Sequence, residues 1–270
     1  MEVDLTGATR LHVIVGDPIA QVKSPAGVTR SFLSRGHDGI VVPVHVVPAD
    51  LGDFLRTADR LKNLDGIIST IPHKFGCFAH CASTTPRAAF LGAVNVMRRR
   101  PDGRWHGDMV DGQGMIAALA GKGVDPVGRR VLVAGAGGAG SAIALALVDA
   151  GAAAVAIHEI DSARRDDLVA RLSARGPVPV AAGTVDPSGY DLVINATPAG
   201  MKPDDPYPFD VARLAPSTFV ACLQTGAGAS PVVSAARAAG CRTSNGADLF
   251  AAQQETIAAF LLFADERAEP

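Results

Sequence analysis

After a β-branched run at residues 130–134, the chain reads Gly135-Ala136-Gly137-Gly138-Ala139-Gly140 and passes straight into an Ala/Leu-rich stretch. The glycines fall in the spacing G-x-G-x-x-G, and the setting of strand before and helix after makes that spacing informative. The first glycine permits a tight turn, the second lets a ligand approach the backbone, and the third lets the helix pack closely on the strand. The helix start then offers unpaired N–H groups and a partial positive charge, which suit a diphosphate. The six residues are therefore read as the pyrophosphate grip of a dinucleotide site.

The next strand, read over residues 153–158, ends in His158-Glu159-Ile160-Asp161. Glu159 follows the last glycine by 159 − 140 = 19 residues, close to the spacing of about 20 at which an acidic side chain meets the ribose hydroxyls. A carboxylate there repels a 2′-phosphate. NAD is the expected cofactor and NADP the less expected one, with Asp161 reinforcing Glu159; Arg164 and Arg165 are the groups that would accommodate NADP if they folded back.

Around this unit, short β-branched runs alternate with longer amphipathic stretches, the rhythm of βαβ units and parallel sheet. Strands are predicted at residues 11–15, 40–47, 66–71, 130–134, 153–158, 190–195 and 220–223. Helices are predicted from Ser24-Pro25, a Ser N-cap with Pro at the first helical position, and at residues 50–61, 112–120, 162–175 and 247–263. With 270 residues, the chain is long for one core and suits two. The fold class is α/β, with the boundary after the turn Pro101-Asp102-Gly103: residues 1–108 form one domain, to which 247–270 return, and 109–246 form a Rossmann dinucleotide-binding domain.

Composition excludes several classes. Lys plus Arg total 25 against 27 Asp plus Glu, a net charge of −2, which gives no field to attract nucleic acid. Arg98-Arg99-Arg100 and Arg129-Arg130 read as solvated loop charges. The mean hydropathy is +0.22, yet no apolar run has the length of roughly 18–20 residues that a bilayer span needs. A cytoplasmic protein, a monomer or homodimer, with reduced Cys77, Cys81, Cys222 and Cys241 is expected. His73, Cys77, His80 and Cys81 invite a zinc reading, but Phe75 and Phe78 interleave them and no second ligand pair follows at finger spacing, so no metal site is expected.

A dinucleotide fold implies redox chemistry without naming its substrate. Lys74, in Thr70-Ile71-Pro72-His73-Lys74, and Asp111, in Gly107-Asp108-Met109-Val110-Asp111-Gly112, are candidates for the acid-base pair that oxidation of an alcohol requires. His73 offers the imidazole that most often serves in proton transfer and is a second candidate for the same work, and Lys23 is a candidate partner for a substrate anion; both are also readable as loop residues.

Taken together, Gly16-Asp17-Pro18-Ile19 through Ser24-Pro25, Thr70 to Lys74, Gly92-Ala93-Val94-Asn95, Asp111-Gly112, the glycine loop, Asn195-Ala196-Thr197-Pro198-Ala199-Gly200-Met201 and Gln253 resemble the shikimate/quinate dehydrogenase family nearly end to end. The resemblance implies an N-terminal substrate-binding domain, a C-terminal Rossmann domain and a site in the cleft between them. It implies Lys74 and Asp111 as the catalytic pair, and Ser24, Thr70, Asn95, Gln253 and Thr225 as substrate contacts. It also places Asn195, Thr197 and Met201 beside the nicotinamide and counts Gly246 among the cofactor-binding residues. The partner implied is a small hydroxylated ring carboxylate.

The chain departs from the family pattern in its polar residues. Val22 and Ile68 stand where a serine and an asparagine are usual, Met109-Val110 where Asn-Thr is usual, and Thr225 where a tyrosine is expected. A shikimate dehydrogenase-like paralogue, acting on shikimate weakly or on quinate or another ring acid, is the resulting expectation. The alternatives are a non-catalytic, dinucleotide-binding regulatory protein and a folate-type dehydrogenase of similar two-domain plan.

Overall fold

The computed structural model describes residues 3–200, 205–224 and 230–262, and the chain divides into two compact α/β units. One comprises residues 1–110 and 254–270, the other residues 111–253.

The first unit runs β1 (Arg10–Gly16), α1 (Ser24–Ser34), β2 (Gly39–His45), α2 (Leu51–Ala58), β3 (Leu64–Ser69), α3 (Lys74–His80), β4 (Ser83–Thr84), α4 (Pro86–Leu91), β5 (Val96–Arg99) and β6 (Trp105–Asp108). Its six strands lie in the order β2-β1-β3-β5-β6-β4. The β2-β1-β3 part is parallel, as the alternation of strands and helices predicts, whereas β5 pairs antiparallel with both β3 and β6.

The hairpin of β5 and β6 corrects the reading of Arg98-Arg99-Arg100 as loop charges. Arg99 lies on β5, and its guanidinium donates to the carbonyls of Leu64 (2.8 Å), Ala58 (2.7 Å) and Gly103 (2.9 Å) while stacking on Trp105 at 4.3 Å. Arg98 lies over the Phe260 ring. Arginine stems cover apolar surface while the charged heads find carbonyls, so a basic run serves here as a strand. At the start of α1, the helix opens at Ser24 with Lys23 as N-cap, one residue earlier than a Ser24 cap would place it.

His12 is fully buried in β1, between Phe32 of α1 (ring centroids 4.5 Å apart) and His37, with Nε2 atoms 3.3 Å apart. Its Nδ1 has no partner among the described residues and faces Gly66, where a Cβ would come within 2.5 Å of it. Burial, reinforced by His37, pushes the His12 pKa from 6.5 down to about 4. The unfolded chain therefore takes up this proton before the folded one does, and stability falls as pH drops below 6.5 towards 4. In urea titrations the wild type is expected to lose about 2 kcal/mol more than His12→Phe between about pH 7 and pH 5. Equal pH slopes for the two proteins would rule this out.

The second unit runs α5 (Asp111–Gly121), β7 (Arg130–Ala134), α6 (Gly138–Asp149), β8 (Ala154–His158), α7 (Ser162–Ser173), β9 (Val180–Ala182), β10 (Leu192–Asn195), β11 (Phe219–Cys222), α8 (Pro231–Ala238), β12 (Arg242–Ser244) and α9 (Gly246–Leu262), which crosses into the first unit after Gln253. The sheet order is β12-β11-β10-β7-β8-β9, with every pair parallel. Taking β7 as the first strand, this is the doubly wound dinucleotide order, with its topological switch between β7 and β10.

Residues Val131 to Ala134 are all fully buried because helices cover both faces of such a sheet. The apolar core joins Leu132, Val193 and Val220 on the strands to Val232 and Ala236 of α8. Helices α5 and α6 pack backbone to backbone; a Cβ on Gly112 would lie 2.3 Å from the Ala142 carbonyl oxygen. Among the described residues, no helix is long and apolar enough to cross a membrane.

Candidate functional site

In the second unit, β7 delivers the chain into the glycine turn at the carboxyl edge of the sheet. Gly135 has φ +103°, a conformation that side-chain-bearing residues rarely adopt, and a Cβ there would also strike Thr197 and Ala196. A Cβ on Gly140 would lie 2.0 Å from the Gly135 carbonyl oxygen, so this glycine sets the contact of helix with strand. Around Gly137 there is nothing within 4 Å. The turn thus has two glycines dictated by packing and one facing open space at the start of a twelve-residue helix, which fits a pyrophosphate lying on the N-terminus of α6.

Glu159 follows β8, and its Oε2 accepts from the Ala136 backbone N–H (2.8 Å) while Oε1 accepts from Asp161 N (3.2 Å). The carboxylate is thereby fixed against the turn. Asp161 is also the N-cap of α7, accepting from Arg164 N at 3.1 Å. The neighbouring cations are engaged: Arg164 lies 3.9 Å from Glu159 and 3.4 Å from Asp161, and Arg165 pairs with Asp166 at 2.8 Å. Burial lowers the pKa of His158.

Asn195 ends β10 fully buried and organises the loop after it. Its Oδ1 accepts from Thr197 N (2.9 Å) and Oγ1 (2.7 Å), and its Nδ2 donates to the Ala199 carbonyl (3.2 Å). Gly246 opens α9 and donates its N–H to the Gln224 carbonyl at 3.1 Å. Gln253 of α9 donates to Asp111 Oδ1 at 2.8 Å, and both are buried. Met201 and Thr225 lie outside the described residues.

In the first unit, the carboxyl ends of β1 and β3 are neighbours, since Val15 pairs with Ser69. Gly16 makes room for Thr70, whose Cγ2 would come within 2.4 Å of a Cβ at 16. Asn95 is buried, with Oδ1 accepting from Val110 N at 2.9 Å, which fixes the orientation of its amide. Lys74 begins α3, and its carbonyl accepts from Val94 N (3.1 Å), tying it to the Gly92–Asn95 segment. Ser24, Thr70, Lys74 and Asn95 all belong to this unit; Asp111 and Gln253 belong to the other. Ile68 is core, 3% exposed, and offers a substrate no hydrogen bond.

The residues considered for zinc have other occupations. His73 Nε2 contacts the Val46 carbonyl at 2.6 Å, His80 Nε2 pairs with Asp59 at 3.0 Å, and the Cys81 thiol points at the Cys77 carbonyl. Burial pushes both thiols up to about 12, so neither is a ready thiolate.

The spacing of the sequence does not reveal the clamp on Asp108. This carboxylate is 2% exposed and accepts from Thr85 Oγ1 (2.5 Å), Arg87 Nε (2.8 Å) and Met109 N (2.7 Å), while Arg87 Nη2 pairs with its other oxygen. The Asp108 carbonyl accepts from Asn95 N at 2.9 Å, so the clamp also holds Asn95. Arg87→Ala would leave a buried carboxylate without its cation. A loss of about 2 kcal/mol is expected in chemical denaturation, below the usual cost because Arg87 is partly exposed. A loss under about 0.5 kcal/mol would assign the clamp no energetic weight.

The model of the shikimate dehydrogenase substrate binding domain matches residues 14–97. A shikimate dehydrogenase (NADP(+)) of Geobacter metallireducens is 33% identical over 265 residues, covering 93% of this chain and 91% of that protein. The chain belongs to the shikimate dehydrogenase family. Two solved members of this fold extend the comparison. The 5-ketofructose reductase of Gluconobacter sp. strain CHM43 is 28% identical, with a TM-score of 0.81 over 94% of this chain and 93% of that one. Quinate dehydrogenase from Corynebacterium glutamicum, in complex with NAD, is 25% identical, with a TM-score of 0.79 over 94% of each chain.

Proposed function

We propose that this shikimate dehydrogenase-family protein is a cytoplasmic, NAD-preferring oxidoreductase acting on a ring hydroxyl of shikimate, quinate or a related hydroxylated ring carboxylate. Residues 1–108, with 247–270, bind substrate, and residues 109–246 bind the dinucleotide. The observation that carries the cofactor preference is the Glu159 carboxylate, held by the Ala136 N–H beside the glycine turn. It retains lone pairs for both ribose hydroxyls. With Arg164 and Arg165 engaged by Glu159, Asp161 and Asp166, a 2′-phosphate meets a net negative corner.

The bound nicotinamide supplies the hydride acceptor. In the oxidising direction, Lys74 removes the proton of the substrate hydroxyl as the C–H electron pair departs, and it returns that proton in reduction. Asp111, oriented by Gln253, is the carboxylate partner of that transfer. Ser24, Thr70, Asn95 and Gln253 hydrogen-bond the carboxylate and ring hydroxyls, with Thr225 the further substrate contact. Each polar contact absent at Val22 and Ile68 removes a charge-assisted or neutral hydrogen bond, so shikimate affinity is expected to be about tenfold or more below that of a fully polar site.

The test is a screen of hydroxylated ring acids against NAD and NADP, following reduced cofactor. NAD-linked turnover of shikimate or quinate with a millimolar-range KM supports the reading. Efficient NADP-linked shikimate oxidation would overturn the cofactor preference, and no turnover of any ring acid would overturn the substrate class.

A further inference from the structure

In a doubly wound sheet the dinucleotide straddles the switch point, so an adenosine half on the β8 side puts the nicotinamide half over the ends of β10 and β11. Gln224 stands two residues beyond the end of β11. Its Nε2 donates to the Ala199 carbonyl at 2.6 Å and lies 3.4 Å from the Thr197 carbonyl. Two carbonyls on one side settle which end of the carboxamide is nitrogen, and Oε1 occupies the other. That oxygen is buried and has no hydrogen-bond partner among the described residues. The Gly246 N–H to Gln224 carbonyl bond at 3.1 Å pins the backbone from which the side chain projects.

A buried amide oxygen left unpaired is costly and calls for an occupant that donates. We propose that Gln224 Oε1 accepts an N–H from the carboxamide of the bound nicotinamide, and so sets which face of the ring is turned to the substrate. The ring can rotate about its glycosidic bond, and a single fixed acceptor for its carboxamide selects one orientation. This rests on the dinucleotide reading above and adds to it a residue that recognises the reacting half.

The test compares equilibrium binding of NAD, its 3-acetylpyridine analogue and ADP-ribose to the wild type, Gln224→Met and Gln224→Glu. The acetyl analogue keeps the carbonyl and lacks the N–H donor; ADP-ribose lacks the ring altogether. The wild type is expected to bind NAD about five- to tenfold tighter than the acetyl analogue. Gln224→Met should abolish that preference. Gln224→Glu should keep it, because it retains an acceptor while losing the bond to Ala199. ADP-ribose should bind all three proteins within about twofold.

No preference in the wild type, or a preference that survives in Gln224→Met, would overturn the proposal. So would equal loss of preference in both variants, which would reduce Gln224 to holding the Ala199 loop. If Gln224→Met fails to fold, Gln224→Leu takes its place with the same expected outcome. Failure of ADP-ribose to bind the wild type would instead overturn the dinucleotide reading itself.

Discussion

Lys74→Ala is expected to lower kcat by about three orders of magnitude while leaving the Kd for NAD unchanged, because positioned acid-base groups typically contribute factors of about 10²–10⁴. The residue belongs to the first unit and the glycine turn to the second, so loss of the amine should spare cofactor binding. The backbone at 74 is held by its carbonyl's bond from Val94 N, which the substitution keeps. Lys74→Arg separates charge from proton transfer, since a guanidinium stays protonated across the assay range, and it should be nearly as impaired as the alanine variant. Steady-state kinetics alongside calorimetric NAD binding decides the matter. Arginine restoring turnover would reduce Lys74 to an electrostatic anchor. A protein that only sensed dinucleotide would have no turnover to lose.

The dinucleotide unit was legible because its strands are buried on both faces and read as unbroken β-branched runs, and because the glycine spacing carries a steric demand at each position. Residues 130–134 form β7 as predicted, and the predicted helix over residues 112–120 lies within α5. The β5–β6 hairpin was hidden because Arg99 satisfies its charge on carbonyls from α2 and β3 and Arg98 lies over the Phe260 ring of α9, partners that no local window contains. Helix α4 has only six residues, with its start set by Thr85 accepting from Ala88 N, too short for a periodic signal. Asp108 was in plain view three residues before Asp111, but its partners Thr85 and Arg87 come from another element. Gln224 is similar: only the fold reveals that one end of its amide is occupied and the other is not.

Glu159→Ser is expected to move the ratio of kcat/KM for NAD over NADP by about a hundredfold or more, towards NADP. Loss of the carboxylate as acceptor for the ribose hydroxyls should weaken NAD by about 10- to 100-fold, the effect of one charge-assisted bond at roughly 1.5–3 kcal/mol, because the serine hydroxyl and water take over part of the second. NADP gains from the same change, because the substitution removes the carboxylate that its 2′-phosphate must approach. It also frees Arg164, which lies 3.9 Å from Glu159 and is otherwise shared with Asp161. One cost opposes the shift: Ala136 N loses its acceptor, and the glycine turn loses the stitch that joins it to β8, so total activity should fall even as the preference reverses. Asp161→Ala alone should do less to the ratio, since that side chain is committed to capping α7, and the double substitution should exceed Glu159→Ser because Arg164 is then released from both carboxylates. The decisive measurement is the cofactor ratio at saturating ring acid for all three variants. A ratio unmoved by Glu159→Ser would mean that the corner at the end of β8 does not read the ribose, and that cofactor choice in this family member lies elsewhere on the dinucleotide.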